Sequence, residues 1–341
     1  MLRLKKILKI GAIVIVVIIL AAIFYIRHLG KRGLPNYNRD LDLDGIQDSV
    51  KIYRDQFAIP HVKAENESDL YRSFGYCMAQ DRMWQMDLLR RVTLGRLAEI
   101  MGEDLVEYDL LMRSLRITEK SRNIYANSNP EVRQALQAFS DGINQYIERR
   151  DSDLPLEFSL LQYEPEKWKP IHSINLIGYM AWSLTFPWEN EVLLYKIQQK
   201  AGEKYKELIP KVSKQKIVVY PNYARKNSEI DILAELQNFQ EPAKQLGLDI
   251  FTASNNWAVA PEKSATEKPL FANDMHLGIN SPGIWYQAHQ IVPGKLNVTG
   301  VALPGAPFIV AGHNSDIAWG FTNVSVDDMD FYREKINPDN P

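Results

Sequence analysis

Hydrophobic and polar positions follow different periods in different parts of the chain. Residues 10–26 carry no charged side chain. Residues 49–62 alternate as short strands do, with an interruption at Pro60. Apolar residues then recur at helical spacing over three longer stretches, which predicts helices at residues 68–101, 117–149 and 173–208. The part of the chain that precedes residue 209 is therefore predicted to be mainly helical.

Caps and breaks set the expected limits of the first long helix. Ser68 and Asp69 are candidate N-terminal caps, because their side-chain oxygens can accept hydrogen bonds from the first turn. We expect this helix to continue past Gly95, at a small cost in stability, and to end at Gly102.

The pattern changes twice in the later part of the chain. Residues 209–253 are rich in Lys and Gln, contain several prolines and lack periodicity, which is typical of a surface linker. Beyond Ser254 the apolar runs become short and are separated by Gly, Pro and Asn, which predicts strands. The sequence stops at Pro341, nine residues after the strand-like Phe331 and Tyr332, so we expect it to be a truncated part of a longer protein.

The uncharged segment 10–26 has basic residues on both flanks and is at the short end of what spans a bilayer. Ala21 and Ala22 precede bulky residues, which makes a poor cleavage site for a signal peptide. We therefore predict an uncleaved signal-anchor and tether at residues 1–35, with a cleaved signal peptide as the alternative. In both cases the rest of the chain is exported to the periplasm or cell surface. The basic flanks leave the orientation open.

The net charge, hydrophobic content and cysteine count of the chain exclude only a few classes of protein. The net charge is −2, so no basic surplus points to nucleic acid, and we expect no nucleic-acid partner. Hydrophobic residues make up 45% of the chain, which is enough for a large core. The single cysteine, Cys77, excludes an intramolecular disulfide and a cysteine-based metal site. Its apolar helical surroundings predict a buried structural thiol.

Ser254 stands at the point where the linker gives way to strands. By itself, a Ser before a strand is an ordinary turn residue. The sequence contains no Gly-x-Ser-x-Gly motif, so an α/β-hydrolase nucleophile is unsupported. With six histidines in the chain, spacing alone does not single out a Ser-His-Asp triad either.

Short motifs around Ser254 occur in a fixed order, and each is weak alone. Downstream they are Ser254-Asn255-Asn256-Trp257, Phe271-Ala272-Asn273-Asp274-Met275-His276-Leu277, Trp285-Tyr286, Leu303-Pro304-Gly305-Ala306-Pro307, Gly312-His313-Asn314 and Ile317-Ala318-Trp319-Gly320. Upstream they are Ile59-Pro60-His61, Gly75-Tyr76, Ala79-Gln80-Asp81-Arg82, Gln85-Met86, Arg90-Arg91 and Gly95-Arg96-Leu97-Ala98-Glu99. Together, over residues 45–341, this order resembles the penicillin acylase family of N-terminal-nucleophile hydrolases (peptidase S45 type).

The resemblance implies an α+β fold, the αββα sandwich of that superfamily. It also implies an inactive precursor that cleaves its own Ala253–Ser254 bond, although the family more often has Gly before the Ser. The new α-amine of Ser254, with an unperturbed pKa of about 8, would then act as the general base for its own hydroxyl. The backbone N–H of Asn323 would be one oxyanion donor, and the other is an Asn side chain beyond the last residue of this chain. His276 would orient the amine or the oxyanion region; an ordinary loop histidine is the alternative.

The resemblance further implies a structural calcium ion and an acyl pocket. Asp327, Asp330 and the Met329 carbonyl would bind Ca²⁺ together with Glu191, and Glu189 is the alternative to Glu191. Hard oxygen ligands of this kind suit calcium, whereas an acidic turn exposed to solvent is the other interpretation. Apolar residues that include Met180, Phe186 and Leu277 would form the acyl pocket; a plain core stripe is the alternative.

Four regions follow from this interpretation. After the anchor and tether at residues 1–35, residues 36–210 form a mainly helical α-subunit region, residues 211–253 a spacer, and residues 254–341 the start of the nucleophile-bearing β subunit. The expected activity is hydrolysis of the linear amide of an N-acylated small molecule, such as a penicillin or an N-acyl homoserine lactone, by an α/β heterodimer made from one precursor. A non-catalytic exported binding protein with the same fold and a conventional membrane-anchored serine peptidase are the rival hypotheses.

Overall fold

The computed structural model describes residues 2–31, 33–149, 154–185, 189–205, 253–278 and 280–323. Within these ranges the chain forms helices first and most of its strands later, as the periodicity predicts. The helices are α1 (Leu2–Leu29), α2 (Glu67–Leu94), α3 (Ala98–Met101), α4 (Val106–Ser114), α5 (Ile117–Asn127), α6 (Pro130–Arg149), α7 (Leu156–Leu160), α8 (Pro170–Leu184) and α9 (Glu189–Ala201). The strands are β1 (Lys51–Arg54), β2 (Pro60–Lys63), β3 (Ala253–Val259), β4 (Leu270–His276), β5 (Tyr286–Val292), β6 (Leu296–Ala302), β7 (Ala311–His313) and β8 (Ala318–Trp319).

Two sheets are present in the described ranges. The larger has six strands in the order β1-β2-β5-β6-β7-β8, and the smaller is the antiparallel pair β3-β4. Neighbours in the larger sheet are antiparallel except β2 and β5, which run parallel with His61 opposite His289. The sheet therefore joins strands that precede the predicted spacer to strands that follow it. The mixed helix and sheet content agrees with the predicted α+β class.

The main core lies between α2, α6 and one face of the larger sheet. Alternate residues of β5, from Tyr286 to Val292, face this core, as the period of two requires. α2 and α6 cross closely because two glycines lie at the contact. A Cβ at Gly142 would lie 1.9 Å from the Arg72 carbonyl oxygen, and one at Gly75 would lie 2.2 Å from the Phe139 carbonyl oxygen. Glycine is therefore required for this helix spacing.

The first long helix differs from its prediction at both ends. Asn66, and not Ser68 or Asp69, is the N-cap, since its side chain accepts a hydrogen bond from the Asp69 N–H at 2.9 Å. The helix ends at Gly95, where φ is +59°. The expected continuation to Gly102 is wrong, because Gly95 adopts the left-handed conformation and a separate short helix, α3, follows.

The structure agrees in outline with three further predictions. Pro60 does not merely interrupt the early strand region but begins β2, where its missing N–H costs least. The third helical stretch is divided into α8 and α9, and its last predicted residues lie outside the described ranges. Cys77 is buried, as its apolar surroundings predict.

The N-terminal helix α1 contains the uncharged segment 10–26. Its stretch Lys9–Leu29 is long and apolar enough to cross a membrane, with a mean hydropathy of 2.8, and none of it is buried by the rest of the protein. A signal sequence has the same properties. The structure is thus compatible with both the predicted anchor and its alternative.

Candidate active site

The β3-β4 pair carries the predicted nucleophile. Ser254 is the second residue of β3 and pairs with Met275 of β4, while Ala253 pairs with His276. Ser254 is partly buried. Since Ala253 and Ser254 are consecutive residues of one strand, the Ser254 nitrogen is here a peptide nitrogen.

The register separates the side chains of Ser254 and His276. Side chains alternate between the two faces of a strand, and directly paired residues share a face. Ser254 therefore shares its face with Met275, whereas His276 projects from the opposite face. There the His276 Nε2 lies 2.7 Å from Asp274 Oδ2. The backbone of His276, by contrast, pairs with Ala253 immediately beside the predicted scissile bond, and the role of this residue stays a prediction.

Asn323, the predicted oxyanion donor, lies at the C-terminal end of α8. Its side-chain Nδ2 donates a hydrogen bond to the Leu184 carbonyl oxygen at 2.7 Å. Thr185 follows as the C-cap of α8, and its extended ψ of 147° takes the chain out of the helix. The end of α8 and the Asn323 side chain are thus in direct contact.

The side-chain amide of Asn273 connects the segment that contains Asn323 to the β3-β4 hairpin. Asn273 of β4 accepts a hydrogen bond from the Phe321 N–H at 3.0 Å through Oδ1 and donates one to the Phe321 carbonyl oxygen at 2.9 Å through Nδ2. Asn273 pairs with Asn256 of β3, so it lies on the face that Ser254 shares. Sequence reasoning assigned no role to Asn273, although it belongs to the same motif as His276.

The structure describes two of the three predicted acyl-pocket residues. Met180 of α8 and Leu277 after β4 are each partly buried, and Phe186 lies outside the described residues. An apolar cavity of about 560 Å³ runs along a different face of α8. It lies between α5, α6 and α8 and is lined by Ile124, Leu136, Ile177, Ala181, Trp182 and Phe308, among others. Sequence analysis did not anticipate this cavity, because its walls come from four separate segments.

A polar cluster connects residues before the predicted spacer (Arg54, Cys77 and Asp81) to Tyr286, which follows it. Tyr286 of β5 donates a hydrogen bond to Asp81 Oδ2 at 2.5 Å, and Arg54 of β1 forms an ion pair with the same oxygen at 2.9 Å. The Cys77 thiol accepts a hydrogen bond from Arg54 at 3.1 Å. Burial raises the pKa of the Cys77 thiol to about 12, so it stays protonated and unreactive.

The predicted calcium ligands fall mostly outside the described residues. Asp327, Met329 and Asp330 all do, while Glu191 lies in the first turn of α9 and is partly buried. For Glu189 the structure describes the backbone alone, as the first residue of α9. Among the described residues, no group of three or more His, Cys, Asp or Glu side chains is arranged to bind a metal. The calcium site therefore remains a prediction.

Ser254 thus lies on β3, and Asn273 of the paired strand β4 binds the backbone of Phe321. Comparison with known proteins defines the class further. The family model described as Penicillin amidase matches residues 49–341. The chain belongs to the penicillin amidase family.

Two relatives that are more than 30% identical agree with this assignment. Penicillin acylase 2 proenzyme of a Pseudomonas species is 32% identical over 315 residues, which are 90% of this chain and 40% of that protein. Acyl-homoserine lactone acylase QuiP of Pseudomonas aeruginosa is 31% identical over 309 residues, 89% of this chain and 36% of that protein. A solved thermostable penicillin G acylase from Alcaligenes faecalis is 29% identical, with a TM-score of 0.43 over 51% of this chain and 98% of its own. The chain thus spans about two fifths of the length of these two acylase relatives.

Proposed function

We propose that the protein is a self-processing acylase that hydrolyses the amide bond of N-acylated small molecules through an acyl-enzyme on Ser254. The observation that carries this proposal is the family match over residues 49–341, which includes Ser254 at the start of β3. The names of its relatives, a penicillin acylase and an acyl-homoserine lactone acylase, make penicillins and N-acyl homoserine lactones the candidate substrates.

The proposed chemistry uses the new chain terminus as its base. The Ser254 Oγ attacks the amide carbonyl carbon, and its proton passes through a water molecule to the free α-amine of the same residue. The Asn323 N–H stabilises the resulting oxyanion. The C–N bond then breaks, the leaving amine takes up the proton, and the acyl group remains on Ser254. Water, activated by the same amine, releases the free acid.

Cleavage of the Ala253–Ser254 bond is the step that creates this base. It would leave residues 36–210 as the α-subunit region and residues 254–341 as the start of the β subunit, with residues 211–253 as the spacer. The larger sheet supports a stable heterodimer after cleavage, because β2 from the first region pairs with β5 from the second. The Arg54–Asp81–Tyr286 cluster adds charged hydrogen bonds across the same boundary. An αββα sandwich around these sheets is the fold proposed for the complete enzyme.

His276 is proposed to act beside the amine. Its backbone pairs with Ala253, so cleavage at the next bond would leave the Ser254 amine next to the His276 main chain. The hydrogen bond between His276 and Asp274 would hold this end of β4. The acyl group is proposed to contact Met180, Leu277 and Phe186, since apolar side chains of this kind accept an aromatic or aliphatic acyl chain.

A structural calcium ion is proposed for the pair of chains. Carboxylate and carbonyl oxygens from Glu191, Asp327, Asp330 and Met329 are the hard donors that Ca²⁺ prefers, with Glu189 as the alternative to Glu191. Bound calcium would hold α9 against the β-subunit segment. Metal analysis of the purified protein should find about one Ca²⁺ per precursor, and chelation should lower the melting temperature. A metal-free protein whose melting temperature ignores chelation would refute this.

Membrane attachment through α1 is proposed from its apolar stretch Lys9–Leu29. The catalytic part would then lie outside the cytoplasm, in the periplasm or at the cell surface. Fractionation should recover the protein with membranes and release it with detergent but not with salt. Recovery in the soluble fraction would indicate a cleaved signal peptide instead.

The function is tested by the release of free acid and amine from phenylacetyl, phenoxyacetyl and medium-chain acyl amides by the full-length protein. Ser254→Ala should abolish turnover, whereas Ser264→Ala, in an exposed turn, should not alter it. If an α-amine is the base, the rate should rise with pH through a single ionisation near pH 7–8, since the unperturbed pKa of such an amine is about 8. Undiminished turnover by Ser254→Ala would overturn the proposal.

A further inference from the structure

Asn273 binds the backbone of Phe321 as an adjacent strand would. Its Oδ1 accepts from the Phe321 N–H, and its Nδ2 donates to the carbonyl oxygen of the same residue, at 3.0 and 2.9 Å. The Nδ2 also lies 3.4 Å from the Asn255 carbonyl oxygen of β3. One amide therefore connects three backbone groups from two segments. We name this arrangement the Asn273 clamp.

Gly320 is required for the Asn273 clamp. A Cβ at this position would lie 2.1 Å from Asn273 Oδ1 and 2.5 Å from its Cγ, far inside van der Waals contact. Any other residue would push the amide away from Phe321. The contact between β4 and Phe321 thus depends both on the Asn273 amide and on the absence of a side chain at Gly320.

The segment after the clamp is held a second time. Two residues beyond Phe321, the Asn323 side chain donates a hydrogen bond to the Leu184 carbonyl oxygen at the end of α8. Residues 321–323 are therefore fixed at one end by β4 and at the other by α8. On the hairpin, Asn273 lies on the face shared by Ser254, since it pairs with Asn256, two residues further along β3.

We propose that Asn273 is a positioning residue that fixes the Asn323 backbone N–H relative to the Ser254 hydroxyl. The inference rests on the proposed function, in which that N–H stabilises the oxyanion. Oxyanion donors must lie about 2.7–3.1 Å from the oxygen, and losing one costs on the order of 10²–10³ in turnover. Loosening the clamp leaves the donor present but poorly placed. Asn273 itself does not contact the reacting atoms.

The test is steady-state kinetics of the full-length protein, with the rate of chain cleavage and the melting temperature measured alongside. Asn273→Ala should lower kcat by roughly 10- to 100-fold, since a misplacement of about 1 Å can cost about 10²-fold. KM should change little, because the donor acts mainly in the transition state. The apparent pKa of the pH–rate profile should not change, because the substitution leaves the α-amine of Ser254 in place.

A double-mutant cycle separates positioning from general damage. Gly320→Ala should lower kcat as Asn273→Ala does, because the added methyl group displaces the amide. In the double variant the methyl group occupies the space that the amide leaves. Its kcat should therefore be at least 10-fold higher than the product of the two single effects predicts. Independent, multiplicative losses would overturn the clamp.

Asn314→Ala is the matched control. This asparagine also binds backbone N–H groups, those of Asp316 and Ile317 at 2.8 Å each, but in the turn before β8 and away from the hairpin. Its kcat should stay within about twofold of wild type, and an equal loss would count against the inference. If the Ala253–Ser254 bond of Asn273→Ala is not cleaved, the kcat values of Asn273→Ser and Gly320→Ala test the inference instead. Turnover by Ser254→Ala refutes the function itself, whereas a silent Asn273→Ala beside an inactive Ser254→Ala refutes the clamp alone.

Discussion

A buried histidine makes the stability of the fold depend on pH in a way that can be calculated. His172 lies in the first turn of α8 with 5% of its surface exposed, edge-on to the Trp168 ring. Its Nδ1 accepts a hydrogen bond from the Lys169 N–H at 3.1 Å, which requires the neutral imidazole. Burial, with the nearby charge of Arg90, lowers the pKa of His172 from 6.5 to about 3.

The direction and size of the effect follow from this pKa. Below pH 6.5 the unfolded chain binds a proton at His172 and the folded chain does not, so stability falls as the pH falls towards 3. Relative to pH 7.5, the loss from this single group is about 1.4 kcal/mol at pH 5.5 and about 2.7 kcal/mol at pH 4.5. His172→Asn keeps a polar side chain but has no proton to gain.

The assay is urea unfolding of the full-length protein and His172→Asn, followed by tryptophan fluorescence between pH 4.5 and 7.5. Other titrating groups are common to both proteins and cancel in the difference. The free-energy difference between them should therefore change by about 1.4 kcal/mol per pH unit below pH 6, in favour of the variant. His313→Asn, at an exposed position, is the control. Parallel pH dependences for wild type and His172→Asn would refute the reasoning.

Other expected outcomes follow from the core. Cys77 should resist thiol reagents at pH 8 and react fully in denaturant; prompt native labelling would contradict its burial. Gly142→Ala should lower stability by about 1–3 kcal/mol in thermal unfolding by forcing α2 and α6 apart, whereas Gly283→Ala, where a Cβ would meet only the Asn280 carbonyl oxygen at 3.9 Å, should not. Asp87→Asn should cost about 3–5 kcal/mol because it removes the buried counter-charge that Arg90 and Arg91 share and leaves them only the more exposed Glu166 and Glu99; an unchanged melting temperature would argue against this ion-pair network.

Much of the fold could be predicted because its periodicity is local. The helical stretches, the strands after Ser254 and the burial of Cys77 all follow from patterns within a few residues. The end of α2 could not be placed in the same way. Gly95 is tolerable within a helix and also suits the left-handed C-terminal position, and only the tertiary context decides between them.

The sequence suggested residues for the candidate site but not their geometry. The motifs point to Ser254 and Asn323, but they carry no information about strand register. The pairing of His276 with Ala253 places its side chain on the face away from Ser254, which depends on a one-residue choice of register. The Asn273 clamp joins residues 48 positions apart, and spacing does not reveal such a contact.

The central claim is that Ser254 becomes the first residue of a new chain and serves as the nucleophile. The most direct measurement is the N-terminal sequence and intact mass of the two chains in the purified full-length protein, wild type beside Ser254→Ala. The account predicts a second chain that begins Ser-Asn-Asn-Trp, at residue 254, and an uncut Ser254→Ala precursor. A new terminus at any other residue, or cleavage at this bond in Ser254→Ala, would contradict it.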